Sequence, residues 1–150
     1  MLCKVANLQD FARVLVLDKW TCNSDGRQAI FARAGSRYNA TFIDHGYCFN
    51  AGEWSFPDAP VRGVYANNSV YEDVKNWNSF EPVLGRAEQI DSADLWRLTE
   101  GMPEEWWSRR DSGDLSRLIE NLYQRRSAIG DLISSFRNST CNPFPHWAGN

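Results

Sequence analysis

The chain lacks most features that fix a protein's class at once. It has four cysteines (Cys3, Cys22, Cys48, Cys141) but no C-x-x-C pair, which excludes a zinc ribbon or a thioredoxin-type redox site. Their scatter predicts reduced, mostly buried thiols. Its two histidines, His45 and His146, have no partners at metal-ligand spacing. No apolar run approaches the ~18 residues of a membrane span. The first ten residues, MLCKVANLQD, lack the apolar centre and cleavage site of a secretory signal. A cytoplasmic protein is therefore expected, and the Asn-x-Ser/Thr matches at Asn39, Asn67 and Asn138 carry no weight. There is no basic excess either: 16 Lys+Arg against 19 Asp+Glu give a net charge of -3, which argues against direct nucleic-acid binding.

What is present describes a globular chain. Of 150 residues, 43% are apolar and 23% charged, enough for one core and too apolar for disorder. Apolar residues at Phe11, Val14, Leu15 and Leu17 predict a helix over 8–20, with Asn7 as N-cap. The polar loop 21–27 follows, then two strand-like runs, 28–33 and 38–44, joined by a glycine-bearing segment short enough for a hairpin turn. Residues 45–78, rich in Gly, Pro, Asn and aromatics, predict an irregular segment with a helical turn near 69–74. Helices are expected over 79–88 and, capped by Ser92, over 93–100. The strongest periodicity, from Leu115 through Leu118, Ile119 and Leu122 to Ile129, Leu132, Ile133 and Phe136, predicts more than five helical turns packed on the core, with Arg117, Arg125 and Arg126 on the solvated side. Residues 137–150, with Pro143, Pro145 and Gly149, read as a flexible tail. The expected fold class is α+β, mainly α-helical, with one small β-hairpin.

Two aspartates stand out, Asp25 in Asn23-Ser-Asp-Gly-Arg27 and Asp44 in Phe42-Ile-Asp-His-Gly46, 19 positions apart. An antiparallel hairpin between them returns the chain to its starting level, bringing Asp44 back near Asp25. Two carboxylates at one end of a hairpin can act as proton acceptor and metal ligand. The plainer alternative is a pair of turns, since Asp and Gly are common turn formers. The order helix, Asn-x-Asp loop, hairpin, Asp-x-Gly parallels the protein-kinase catalytic loop and its later metal-binding aspartate.

Residues 17–27, LDKWTCNSDGR, resemble the D-x-x-x-x-N-x-D-R region of HipA-like kinases, a bacterial branch of the protein-kinase and phosphoinositide-kinase superfamily. Residues 42–49, FIDHGYCF, resemble that family's metal-binding segment, and FNAGEWSFPDAP (49–60) is also similar. The likeness spans about residues 5–136 and is compositional after about 90. It implies a kinase C-lobe over 1–136, with Asp25 accepting the substrate hydroxyl proton, Asn23 orienting the loop, and Asp44 holding Mg2+ that bridges the phosphates of ATP. Asp18 would hold the loop. Arg27 would neutralise transferred phosphoryl charge or serve as an ordinary turn arginine.

Two departures temper this expectation. The superfamily's second magnesium ligand, usually Asn, lies five residues after the catalytic Asp, and Ile30 stands there; Gln28 offers an amide oxygen at a different register. Nothing resembles a glycine-rich nucleotide loop or the strand lysine of an N-lobe. The chain is thus expected to be weakly active or inactive alone, with an N-lobe or protein substrate as partner, or with self-association through an exposed apolar face. The competing expectation is a non-catalytic, pseudokinase-like binding module.

Overall fold

The computed structural model describes residues 2–106 and 112–149. Its order is a 3-10 turn (Leu2–Lys4), α1 (Asp10–Trp20), β1 (Gln28–Ala34), β2 (Arg37–Ile43), the single turn α2 (Cys48–Ala51), two 3-10 turns (Asn68–Tyr71 and Trp77–Phe80), α3 (Val83–Gln89), α4 (Ser92–Thr99), a 3-10 turn Glu104–Trp106, α5 (Ser112–Arg125), a 3-10 turn Arg126–Ala128 and α6 (Ile129–Arg137). The fold is α+β, with one two-stranded antiparallel sheet among the described residues.

The central helix α1 is buried nearly all round, with Phe11, Ala12, Val14, Leu15 and Val16 in the core, as expected of a helix that other elements surround. Phe11 meets Phe42 and Tyr65 edge-on with ring centroids 4.9 Å apart, so the hairpin's inner face packs on the first turn of this helix. Alternation in the hairpin follows the two-residue period: Ala29, Phe31, Ala40 and Phe42 turn inward, while Gln28, Ile30, Thr41 and Ile43 face out. A smaller second cluster joins Leu95 of α4 to Leu118, Ile119 and Leu122 of α5. Trp20 packs against both clusters and donates its indole N–H to the Leu122 carbonyl at 2.8 Å.

Several local expectations need correction. Asn7 does not cap α1 through its side chain; its amide makes two reciprocal 2.9 Å bonds with the backbone of Ala40, acting as a short strand against the open edge of β2. Asp91 rather than Ser92 caps α4, accepting from the Asp94 N–H at 2.7 Å. The long periodic stretch is two helices parted by a 3-10 turn at Arg126–Ala128, the first serving the smaller cluster and the second the main core. Arg125 is buried, not solvated: it donates to the carbonyls of Lys19 (2.7 Å), Phe56 (3.0 Å) and Pro57 (3.3 Å), so its charge organises three chain segments. Cys22 is buried and Cys48 half-buried, yet Cys3 and Cys141 are exposed.

Over residues 137–149 the expected tail is not free. Phe144 is 2% exposed, and its ring lies about 6 Å from those of Tyr71, Phe80 and Phe136. Trp147 meets Trp77 edge-on at 5.4 Å, and the Ala148 N–H donates to the Lys75 carbonyl. Burial of aromatic area offsets the chain entropy lost in docking the segment.

Candidate functional site

The loop from Thr21 to Arg27 rests on a buried polar frame at the end of α1. Asp18 is 2% exposed, and one of its carboxylate oxygens takes Asn23 Nδ2 at 2.9 Å. The Arg27 guanidinium donates to both of its oxygens, through Nε at 3.0 Å and through Nη2. Nη1 of Arg27 reaches the carbonyls of Ile43 (2.8 Å) and Asp44 (3.3 Å). Burial works against the Arg27 cation, but its hydrogen bond and charge contact with Asp18 outweigh that, so its pKa lies above the ordinary value. One ion pair thus ties helix, loop and the far end of β2 together.

A third segment clamps the frame. Gly63 sits at φ +65°, where a Cβ would lie 3.0 Å from the Asn23 carbonyl oxygen and 3.1 Å from Asp18 Cβ. Only glycine accepts both that backbone and that approach. Next to it, the Val64 carbonyl accepts the Arg27 N–H, and the Arg62 carbonyl accepts buried Lys19 Nζ. Burial, joined by the smaller effect of Arg125, lowers the Lys19 pKa to about 8 despite neighbouring Asp18.

On this frame Asp25 stands exposed. Asn23 Oδ1 accepts the Asp25 N–H at 3.2 Å, and the Asp25 carboxylate takes the following Gly26 N–H at 2.7 Å. Antiparallel register pairs Gln28 with Ile43, so Asp44 follows directly on the strand end beside the loop. Asp44 itself turns left-handed (φ 59°), and its exposed carboxylate accepts Gln28 Nε2 at 3.0 Å. The loop and the post-strand turn also join through the Ser24 N–H, which donates to the Tyr47 carbonyl at 3.0 Å.

Asp25 opens onto a polar cleft shared with Ser24, Tyr47, Asn50, Ala51, Glu53 and Arg62. One wall is unusual: Asn50 and Ala51, with Phe49 before them, all carry φ near +55°, three non-glycine residues in a left-handed run that ends at Gly52 (φ 82°). Such residues cost about 1–2 kcal/mol each. Hydrogen bonds from the Phe49 N–H to the Thr21 carbonyl (2.7 Å) and from the Asn50 N–H to the Cys22 carbonyl (3.1 Å) offset the strain, so the wall is fastened to the loop that presents Asp25.

The expected residues fall into two groups. Asn23, Asp25, Gln28 and Asp44 gather at one end of the hairpin. Arg27, expected to meet a transferred phosphoryl group, is turned inward with its side chain fully covered, and the turn-surface alternative fails with it. Ile30 is 55% exposed on the outer hairpin face, two residues from Gln28 on the same side. Among the described residues no three His, Cys, Asp or Glu side chains cluster for a metal. Asp44 with Gln28 offers a smaller donor set, one carboxylate and one amide, of the kind that a magnesium ion completing its shell with waters and phosphate oxygens would need. For both to ligate one cation, the Gln28 amide must present its oxygen instead of the nitrogen it now donates. Sequence reasoning passed over Lys19, Arg62 and the left-handed wall; the Arg62-Gly63 pair beside Pro60 was the available signal. Neither a family model, nor a curated protein, nor a solved structure matches the chain.

Proposed function

We propose that this chain is the C-terminal, catalytic-loop lobe of a HipA-like serine/threonine kinase, working on Mg-ATP and completed by an N-lobe not contained in these 150 residues. The observation that carries this reading is the exposure of Asp25 and Asp44 at one hairpin end on a frame built from Asp18, Asn23 and Arg27. Asp25 would accept the proton of the attacking hydroxyl, its main chain steadied by Asn23 Oδ1. Asp44, assisted by Gln28, would hold Mg2+, which when bound neutralises phosphate charge. Phosphoryl transfer draws its rate chiefly from positioning and electrostatics, so a lobe without the other half of the cleft transfers slowly or not at all.

A second reading, a non-catalytic module that docks a partner, draws on Ile30: an exposed apolar side chain occupies the register of the second magnesium ligand. Thermal denaturation with Mg2+ and ATP separates the two. A binding lobe gains about 2.7 kcal/mol at a hundred times its Kd, and Asp44→Asn abolishes the gain. No shift in the unaltered chain favours the module.

A further inference from the structure

With Arg27 enclosed, the cleft beside Asp25 needs another source of positive charge if it is to receive phosphate. Its described lining includes two carboxylates, Asp25 and Glu53, and one cation, Arg62. A polyphosphate approaching Asp25 and Glu53 alone meets like charge, which disfavours binding. We propose that Arg62 is the phosphate-binding cation of this cleft and takes an oxygen of the transferred phosphoryl group; the inference rests on the kinase-lobe reading.

The placement of Arg62 is fixed at its backbone and open at its tip. Its N–H donates to the Ala59 carbonyl at 3.0 Å, and its carbonyl accepts the buried Lys19 ammonium. Gly63 follows, pressed against Asn23 and Asp18 in a conformation that only glycine adopts without strain. The main chain of Arg62 is therefore anchored to the same residues that present Asp25. Its side chain is exposed, and among the described residues no hydrogen bond or ion pair engages the guanidinium. The other arginines near the loop end are spent differently, Arg27 on Asp18 and Arg125 on the carbonyls of Lys19, Phe56 and Pro57. A guanidinium's planar fork pairs two donors with two phosphate oxygens, a geometry lysine reproduces only in part.

Magnesium tripolyphosphate is the suitable probe, because it presents the phosphate end of a nucleotide without requiring an adenine pocket. Titration calorimetry on the full chain compares the unaltered protein with Arg62→Gln, Arg62→Lys and Asp44→Asn. Arg62→Gln should weaken binding about tenfold, the scale of one charge-assisted hydrogen bond at an exposed site, and flatten the dependence on salt. Arg62→Lys should recover part of the affinity, and the melting midpoint of both variants should stay at that of the unaltered chain. Equal affinity in Arg62→Gln, with binding still lost in Asp44→Asn, overturns the role of Arg62 and leaves the kinase-lobe reading standing. Loss of affinity without rescue by lysine, accompanied by a lowered midpoint, assigns Arg62 to structure and likewise overturns it. An unaltered chain that binds no magnesium tripolyphosphate removes both.

Discussion

Asp18 and Asp25 lie seven positions apart on either side of the same loop, and the fold treats them in opposite ways. Asp18 is enclosed with Arg27 and Asn23, which place three hydrogen bonds on its two carboxylate oxygens. Asp25 is held by its backbone and leaves its carboxylate in an open cleft. The contrast separates scaffold from chemistry: a charge whose partners are all internal can fix a loop, and a charge with solvent in front of it can exchange a proton or meet a cation. The same division runs through the arginines, with Arg27 inside and Arg62 outside.

Removing the buried partner breaks this comparison most severely. Asp18→Ala leaves the Arg27 cation in the interior without its carboxylate, and a loss of about 3–5 kcal/mol in unfolding free energy is expected from urea denaturation. Asp25→Asn in the same assay should stay within about 0.5 kcal/mol of the unaltered chain, as surface substitutions do. A large loss in Asp25→Asn would mean that its carboxylate also belongs to the frame.

Lys19 sharpens the comparison by a smaller amount. Its folded-state pKa, about 8, lies below the ordinary 10.5, so between those values the unfolded chain binds more protons and stability attributable to Lys19 rises with pH. The raised pKa values of Cys22, Cys48 and Tyr71, all due first to burial, act in the opposite direction at high pH. Measurement against Lys19→Met isolates the lysine: the stability of the unaltered chain relative to the variant should rise by about 1–2 kcal/mol from pH 7.5 to 9.5. A difference independent of pH would show that Lys19 is no less readily protonated in the fold than in the unfolded chain.

The hairpin was legible because period-two alternation and a short glycine turn act locally; observed strands Gln28–Ala34 and Arg37–Ile43 depart from the expected limits by one residue at three ends and none at the fourth. Its antiparallel closure also made legible the return of Asp44 to the hairpin end that adjoins the Asp25 loop. The inward course of Arg27 was not, since a charged residue in a turn is ordinarily solvated, and only the distant carbonyls of Ile43 and Asp44 together with Asp18 make burial favourable. Arg125 misled for the same reason: a polar position on an amphipathic helix gives no sign that three carbonyls from other segments converge on it. Phe144 lies among prolines without any period, so its place in the core depends on partners from four separate elements or turns. Of the left-handed run from Phe49 to Gly52, only its last residue is a glycine, so the sequence marks where the run ends and not the three residues before it.

A divalent-ion site at the hairpin end that carries Asp44 and adjoins the Asp25 loop is tested most directly by substituting Mn2+ for Mg2+ and reading paramagnetic broadening of backbone amides. Broadening should concentrate at residues 24–28 and 43–47 and disappear in Asp44→Asn. Broadening centred on other surface carboxylates, or unchanged by that substitution, would contradict a divalent-ion site at the end of the hairpin.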